Sequence, residues 1–73
     1  MNKKKKIGIA GYGIIGRRRH HVINQNKYLE VVSACDKVFV DDSLKRDDVT
    51  CYQDYRSMID NQDLDAVFVC MSN

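Results

Sequence analysis

The most constraining feature of this 73-residue chain is the run Gly11-Tyr12-Gly13-Ile14-Ile15-Gly16, which follows at once on the short apolar segment Lys6-Ile7-Gly8-Ile9-Ala10. Three glycines at G-x-G-x-x-G spacing, with a strand before and a helix after, suit a backbone that must turn sharply and approach a ligand closely. Gly11 permits the turn off the strand, Gly13 leaves no Cβ between backbone and a pyrophosphate, and Gly16 lets the helix pack against the sheet. The unpaired N–H groups and the positive dipole end at the helix start favour phosphate there. Asp36 lies twenty residues beyond Gly16 at the end of a second apolar run, placed to accept hydrogen bonds from the hydroxyls of an adenosine ribose. The competing explanation, that the glycines serve packing alone and Asp36 is a turn residue, leaves the coincidence of strand, helix and acid unexplained.

The rest of the chain fits the same plan. Leu29 to Cys35 and Asp65 to Met71 are apolar, β-branched runs that read as buried strands, the last covered on both faces. Ile14 to Asn26 reads as a helix with Ile15, Val22 and Ile23 inward, and Tyr55 to Asn61 as a shorter one, capped by Asp54, with Tyr55, Met58 and Ile59 inward. The middle predicts one or two helical turns around Ser43 to Arg46 and a short edge strand at Val49 to Tyr52. Strands alternating with helices require right-handed crossovers, hence an α/β fold: the first half of a doubly wound parallel sheet, strand order 3-2-1-4, truncated after its fourth strand. Residues 1–6 are expected to form a basic arm and residues 7–73 a partial dinucleotide-binding domain. The fourth strand is the exposed edge, and self-association through it is expected.

Composition narrows the function classes. No stretch approaches the roughly 20 apolar residues of a membrane span, and the glycines interrupt the apolar run that a secretion signal would need. Cys35, Cys51 and Cys70 are widely spaced without a C-x-x-C pair, which suits reduced thiols in a cytoplasm better than a disulfide framework or zinc site. Residues 1–37 carry nine Lys/Arg against two acids, but no aromatics interleave the lysine run, so a solvated tail is preferred over a nucleic-acid arm. His20 and His21 have no carboxylate at helical spacing to orient them and read as structural or solvent-facing. Cys70 has no identifiable activating neighbour and reads as a strand cysteine. No catalytic pair and no metal constellation is visible. Asp36 would repel a 2′-phosphate, so NAD is favoured over NADP, with Lys37 and Arg17 to Arg19 offsetting part of that preference.

The glycine loop with its Arg/His-rich continuation, the segment Leu29 to Asp36, and the stretches Tyr52 to Tyr55 and Leu64 to Asn73 together resemble the glucose-fructose oxidoreductase, inositol dehydrogenase and rhizopine catabolism (Gfo/Idh/MocA) family. The resemblance runs from Ile7 onward, and the Asp-Ala-Val strand leading to Ser72-Asn73 is its most specific part. It implies the nucleotide-binding part of an NAD(P)-dependent oxidoreductase acting on a sugar, cyclitol or related small polyol. By carry-over, Gly11, Tyr12, Gly13, Ile14, Ile15 and Gly16 hold the pyrophosphate, Asp36 the adenosine ribose, and Met71, Ser72 and Asn73 the central part of the cofactor; Lys37 is counted with the cofactor-binding residues because it could pair with a 2′-phosphate. Two positions depart from the family: Ser72 stands where Pro is usual, and Arg19 where His is common. The family's Glu-Lys-Pro motif and substrate domain would fall after Asn73, so substrate binding and turnover are expected only of a longer chain. Two other readings stay open: a stand-alone nucleotide-sensing or partner-binding module, and a glyceraldehyde-phosphate-dehydrogenase-type NAD domain, whose first loop is similar.

Overall fold

The structure, a computed structural model, describes residues 3–39, 44–46 and 48–70. Its elements in chain order are β1 (Lys5–Ala10), α1 (Ile14–Asn24), β2 (Leu29–Cys35), β3 (Leu44–Arg46), β4 (Val49–Tyr52), α2 (Tyr55–Asn61) and β5 (Ala66–Val69). They form one sheet in the order β3-β4-β2-β1-β5. β4, β2, β1 and β5 are mutually parallel. Numbered among themselves, these four have the expected order 3-2-1-4.

The added strand corrects two expectations. Leu44 to Arg46, read as helical, pairs antiparallel with β4, so β4 is not an edge. Arg46 lies opposite Val49, and the tight connection includes Asp48 at φ 65°. Aspartate tolerates that left-handed conformation better than most side chains, and a hairpin closes there at modest cost. Residues 40–43 and Asp47, within the stretch read as helical, lie outside the described residues.

Each parallel strand end is tied to its neighbour. Gly11 N–H donates to the Cys35 carbonyl (2.8 Å), Asp36 N–H to the Tyr52 carbonyl (3.0 Å) and Cys70 N–H to the Ala10 carbonyl (2.7 Å). At the opposite end Asp65 clasps Lys6, its N–H donating to the Lys6 carbonyl and its carboxylate accepting from Lys6 N–H.

The sheet has a different core on each face. Ile7, Ile9, Val31, Ala34, Val49 and Cys51 pack with Ile23 of α1 and with Phe39. Ala10, Cys35 and Tyr52 pack with Met58 of α2. A shift in the β1/β2 register, with Ile7 opposite Val31 but Gly8 opposite Ser33, leaves Val32 as an extra residue in β2. Val31 and Ala34 therefore share one face, and Ser33 lies on the other in line with Cys35.

Both helices bury less than their sequences suggest. In α1 only Gly16 and Ile23 are buried, whereas Ile15 and Val22 are exposed. The cause is the contact at Gly16: a Cβ there would stand only 2.1 Å from the Gly11 carbonyl oxygen, so this position must face the sheet. With Gly16 inward, 3.6-residue periodicity brings Ile23 in and turns Ile15 away. In α2, Asp54 caps as expected, its carboxylate accepting from Ser57 N–H at 2.8 Å, but only Met58 is buried; Tyr55 and Ile59 are half exposed. Seven residues offer little more than one inward position per turn.

β5 departs furthest from its reading as a strand covered on both faces. Val69 is 73% exposed and Phe68 39%, because among the described residues β5 has β1 on one side and no strand on the other; Val67 alone of the strand packs on the Met58 cluster. No helix among the described residues is long and apolar enough to cross a membrane.

Candidate functional site

The carboxyl ends of all four parallel strands meet in a cavity of about 650 Å³, lined by Gly11, Gly13, Ile14, Ile15, Cys35, Asp36, Lys37, Gln53, Asp54, Tyr55 and Cys70. This is the edge at which ligands bind in open α/β sheets, beside β1, from which the chain steps outward through β2 to β4 before crossing back to β5 on the other side of β1.

The glycine loop forms one wall, and its three glycines do different work. Gly11 has φ 95°, the left-handed region that a side chain would strain. Gly16 is the close helix contact described above. Gly13 has φ −83° and nothing within 4 Å of where a Cβ would sit, so its smallness meets no demand of the fold and leaves the loop open toward the cavity. Gly13 is also the N-cap of α1. It supplies no side-chain cap, and the first turn contains no acid, so the helix presents its N–H groups and positive dipole end without a side-chain acceptor at the cap.

Asp36 closes the loop from the neighbouring strand. Its Oδ2 accepts from Tyr12 N–H at 2.7 Å and its Oδ1 from Val38 N–H at 3.1 Å. A carboxylate has about four lone-pair sites, so two such bonds fix its orientation and leave capacity for ligand hydroxyls.

Tyr12 supports the loop from outside. Its ring leaves the cavity wall for the α1 face, 6.0 Å from Phe39 and 5.7 Å from His20 between ring centroids. Its hydroxyl shares a hydrogen bond with His20 Nδ1, and the Arg17 guanidinium lies 6.0 Å from the ring centroid. His20 thus takes the structural place expected of it, and exposed His21 shares a hydrogen bond with Gln25, four residues on.

Of the sequence-derived site, Gly11, Gly13, Ile14, Ile15, Asp36 and Lys37 line the cavity, while Tyr12 and Gly16 shape its wall. Met71, Ser72 and Asn73 lie outside the described residues. Gln53, Asp54 and Tyr55 were not expected to line it. The available signal was positional, since they directly follow a parallel strand at its carboxyl end, but reading β4 as an edge strand obscured it. Cys35 and Cys70 also line the cavity, unpaired. Burial pushes the Cys35 thiol above its ordinary value; the carboxylates of Asp36 and Asp54 add to this, and a backbone hydrogen bond from Gly11 opposes it. That is the reverse of what an activated thiol needs. Among the described residues no group of three potential metal ligands occurs.

A half-sheet with a glycine turn, an open helix N-terminus and an acid on the adjacent strand defines a dinucleotide-binding α/β domain. A family profile described as "oxidoreductase family, NAD-binding Rossmann fold" matches residues 5–73, and the chain belongs to that Gfo/Idh/MocA family. A solved structure, myo-inositol 2-dehydrogenase from Lactobacillus plantarum, superposes with a TM-score of 0.72 at 25% identity. The match covers 96% of this chain and 22% of that one. No curated protein matches the chain significantly.

Proposed function

We infer that the chain holds NAD as the cofactor-binding part of an oxidoreductase acting on a sugar, cyclitol or related small polyol. The observation that carries this reading is the single cavity shared by Gly13, the start of α1 and the fixed carboxylate of Asp36. The family match supports the oxidoreductase class, and the likeness to an inositol dehydrogenase supports a polyhydroxylated substrate.

In this reading the backbone N–H groups from Gly13 to Ile15 receive the pyrophosphate, where the dipole of α1 offsets its charge. Ile14 and Ile15, exposed on the first turn, supply apolar wall beside it. Asp36 accepts from the adenosine ribose hydroxyls, and Lys37 borders the same end of the cavity. When bound, a nicotinamide dinucleotide supplies hydride transfer. Met71, Ser72 and Asn73, which continue from the carboxyl end of β5, are assigned to the central part of the cofactor. Discrimination follows from charge: at about 5 Å and an effective dielectric of about 20, Asp36 and one unit of phosphate charge repel by roughly 3 kcal/mol.

Titration of the chain with NAD and with NADP, followed by calorimetry, tests the reading. NAD is expected to bind more tightly than NADP, and Asp36→Ser to weaken NAD by about tenfold, the scale of a lost charge-assisted hydrogen-bond pair. Absence of binding at millimolar dinucleotide by a folded chain would overturn it.

A further inference from the structure

We propose that Asp54 is a second specificity-determining carboxylate, acting beside Asp36 to exclude a 2′-phosphorylated dinucleotide. The inference rests on the cofactor reading above and extends it to a residue on a different strand and helix.

Three observations place the two acids at one end of the cavity. β2 and β4 are adjacent, and Asp36 N–H donates to the Tyr52 carbonyl, so the chain reaches Asp54 only two residues past the point where the strand ends are tied. Both residues line the cavity, together with Cys35, whose thiol responds electrostatically to both carboxylates. Both are held in place: Asp36 by the N–H groups of Tyr12 and Val38, Asp54 by its cap bond to Ser57 N–H. A capping carboxylate that swung away from an incoming anion would uncap α2, so its charge stays at the cavity mouth.

The countercharges do not cancel this pair. Lys37 lines the cavity but is exposed. Arg56, also exposed, has its pKa raised chiefly by a hydrogen bond with the Tyr55 side chain, with smaller contributions from the charges of Asp54 and Asp60. A ribose with a free 2′-hydroxyl offers donors to Asp36 and adds no charge, whereas a 2′-phosphate brings up to two negative charges toward two fixed carboxylates. Exclusion therefore has two sources, and removing Asp36 alone leaves one in place.

The test is the ratio Kd(NADP)/Kd(NAD), measured calorimetrically on the chain and its variants. Asparagine and serine both cap helices well, so Asp54→Asn and Asp54→Ser remove the charge while keeping α2, which circular dichroism checks. Each is expected to tighten NADP and lower the ratio by roughly fivefold, an effect that shrinks as salt is raised. Asp36→Ser/Asp54→Asn should lower the ratio further than Asp36→Ser alone. Asp60→Asn, an equal charge change on the exposed side of α2, should leave it unchanged. A ratio unaltered by Asp54→Asn in a chain that still binds NAD overturns the role of Asp54 and spares the cofactor reading. A folded chain that binds neither dinucleotide overturns both.

Discussion

The carbonyl oxygen of Gly11 occupies the space that any side chain at Gly16 would need, at 2.1 Å from the ideal Cβ position. The obstacle is backbone, so no rotamer change relieves it. Gly16→Ala is expected to cost about 3 kcal/mol or more, or to prevent folding. Gly13→Ala meets open space and an accessible φ, so it should fold with stability within about 1 kcal/mol of the parent yet bind NAD at least about tenfold more weakly. Urea unfolding and dinucleotide titration of the two variants separate a glycine the fold requires from one the ligand requires. Equal loss of stability in both would contradict this division.

Ser33 is fully buried on the α2 face, and its hydroxyl has no hydrogen-bond partner. A desolvated, unpaired hydroxyl is a net cost, so Ser33→Ala is expected to stabilise the chain by about 1 kcal/mol. The urea midpoint should rise with an unchanged slope. A fall of similar size would mean that the hydroxyl makes a bond in solution.

The raised pKa of Cys35 has a defined sign in stability. Below the ordinary thiol value of 9.0 both folded and unfolded chains keep the proton and the thiol costs nothing. Above it the unfolded chain ionises first, and stability falls as pH rises toward the folded value. Cys35→Ala should flatten this alkaline decline while leaving other contributions in place. In thiol-modification assays at pH 8, partly exposed Cys70 should react before buried Cys35 and Cys51, and NAD should slow it. Faster reaction at Cys35 would contradict its protonated, buried state.

Among the described residues β5 leaves one edge of the sheet unpaired and apolar, with Val69 73% exposed. Such an edge templates pairing with another chain. Light scattering should show association of the parent chain at high concentration, reduced in Val69→Lys. Monomeric behaviour in both would remove the edge as a contact.

The parts legible in the sequence were those fixed by local pattern. The bounds of β2 and the cap at Asp54 follow from residue type within a few positions. The glycine spacing likewise located the cavity wall. What escaped depended on distant contacts. The rotation of α1 is set by one backbone carbonyl across the turn, and no periodicity of Ile15, Val22 and Ile23 reveals it. β3 is three residues long and is a strand because β4 lies beside it, which residue preference alone does not specify. Gln53, Asp54 and Tyr55 joined the site through strand order, a property of the assembled sheet.

The extra residue at Val32 has a consequence well downstream. Side chains along a strand alternate, so one insertion reverses the assignment of every later position while leaving its identity untouched. Asp36 is two positions past Ala34 and inherits that residue's side of the sheet, toward Tyr12 and α1; with a regular strand it would inherit the side of Met58. Were Val32 paired in regular register instead of bulged, the same acid would point away from the turn it now holds, whereas deleting Val32 would remove the bulge and leave Asp36 on its present side. The address of the most informative carboxylate in this chain is thus set by how the strand accommodates a hydrophobic residue four positions earlier, one outside the cavity lining.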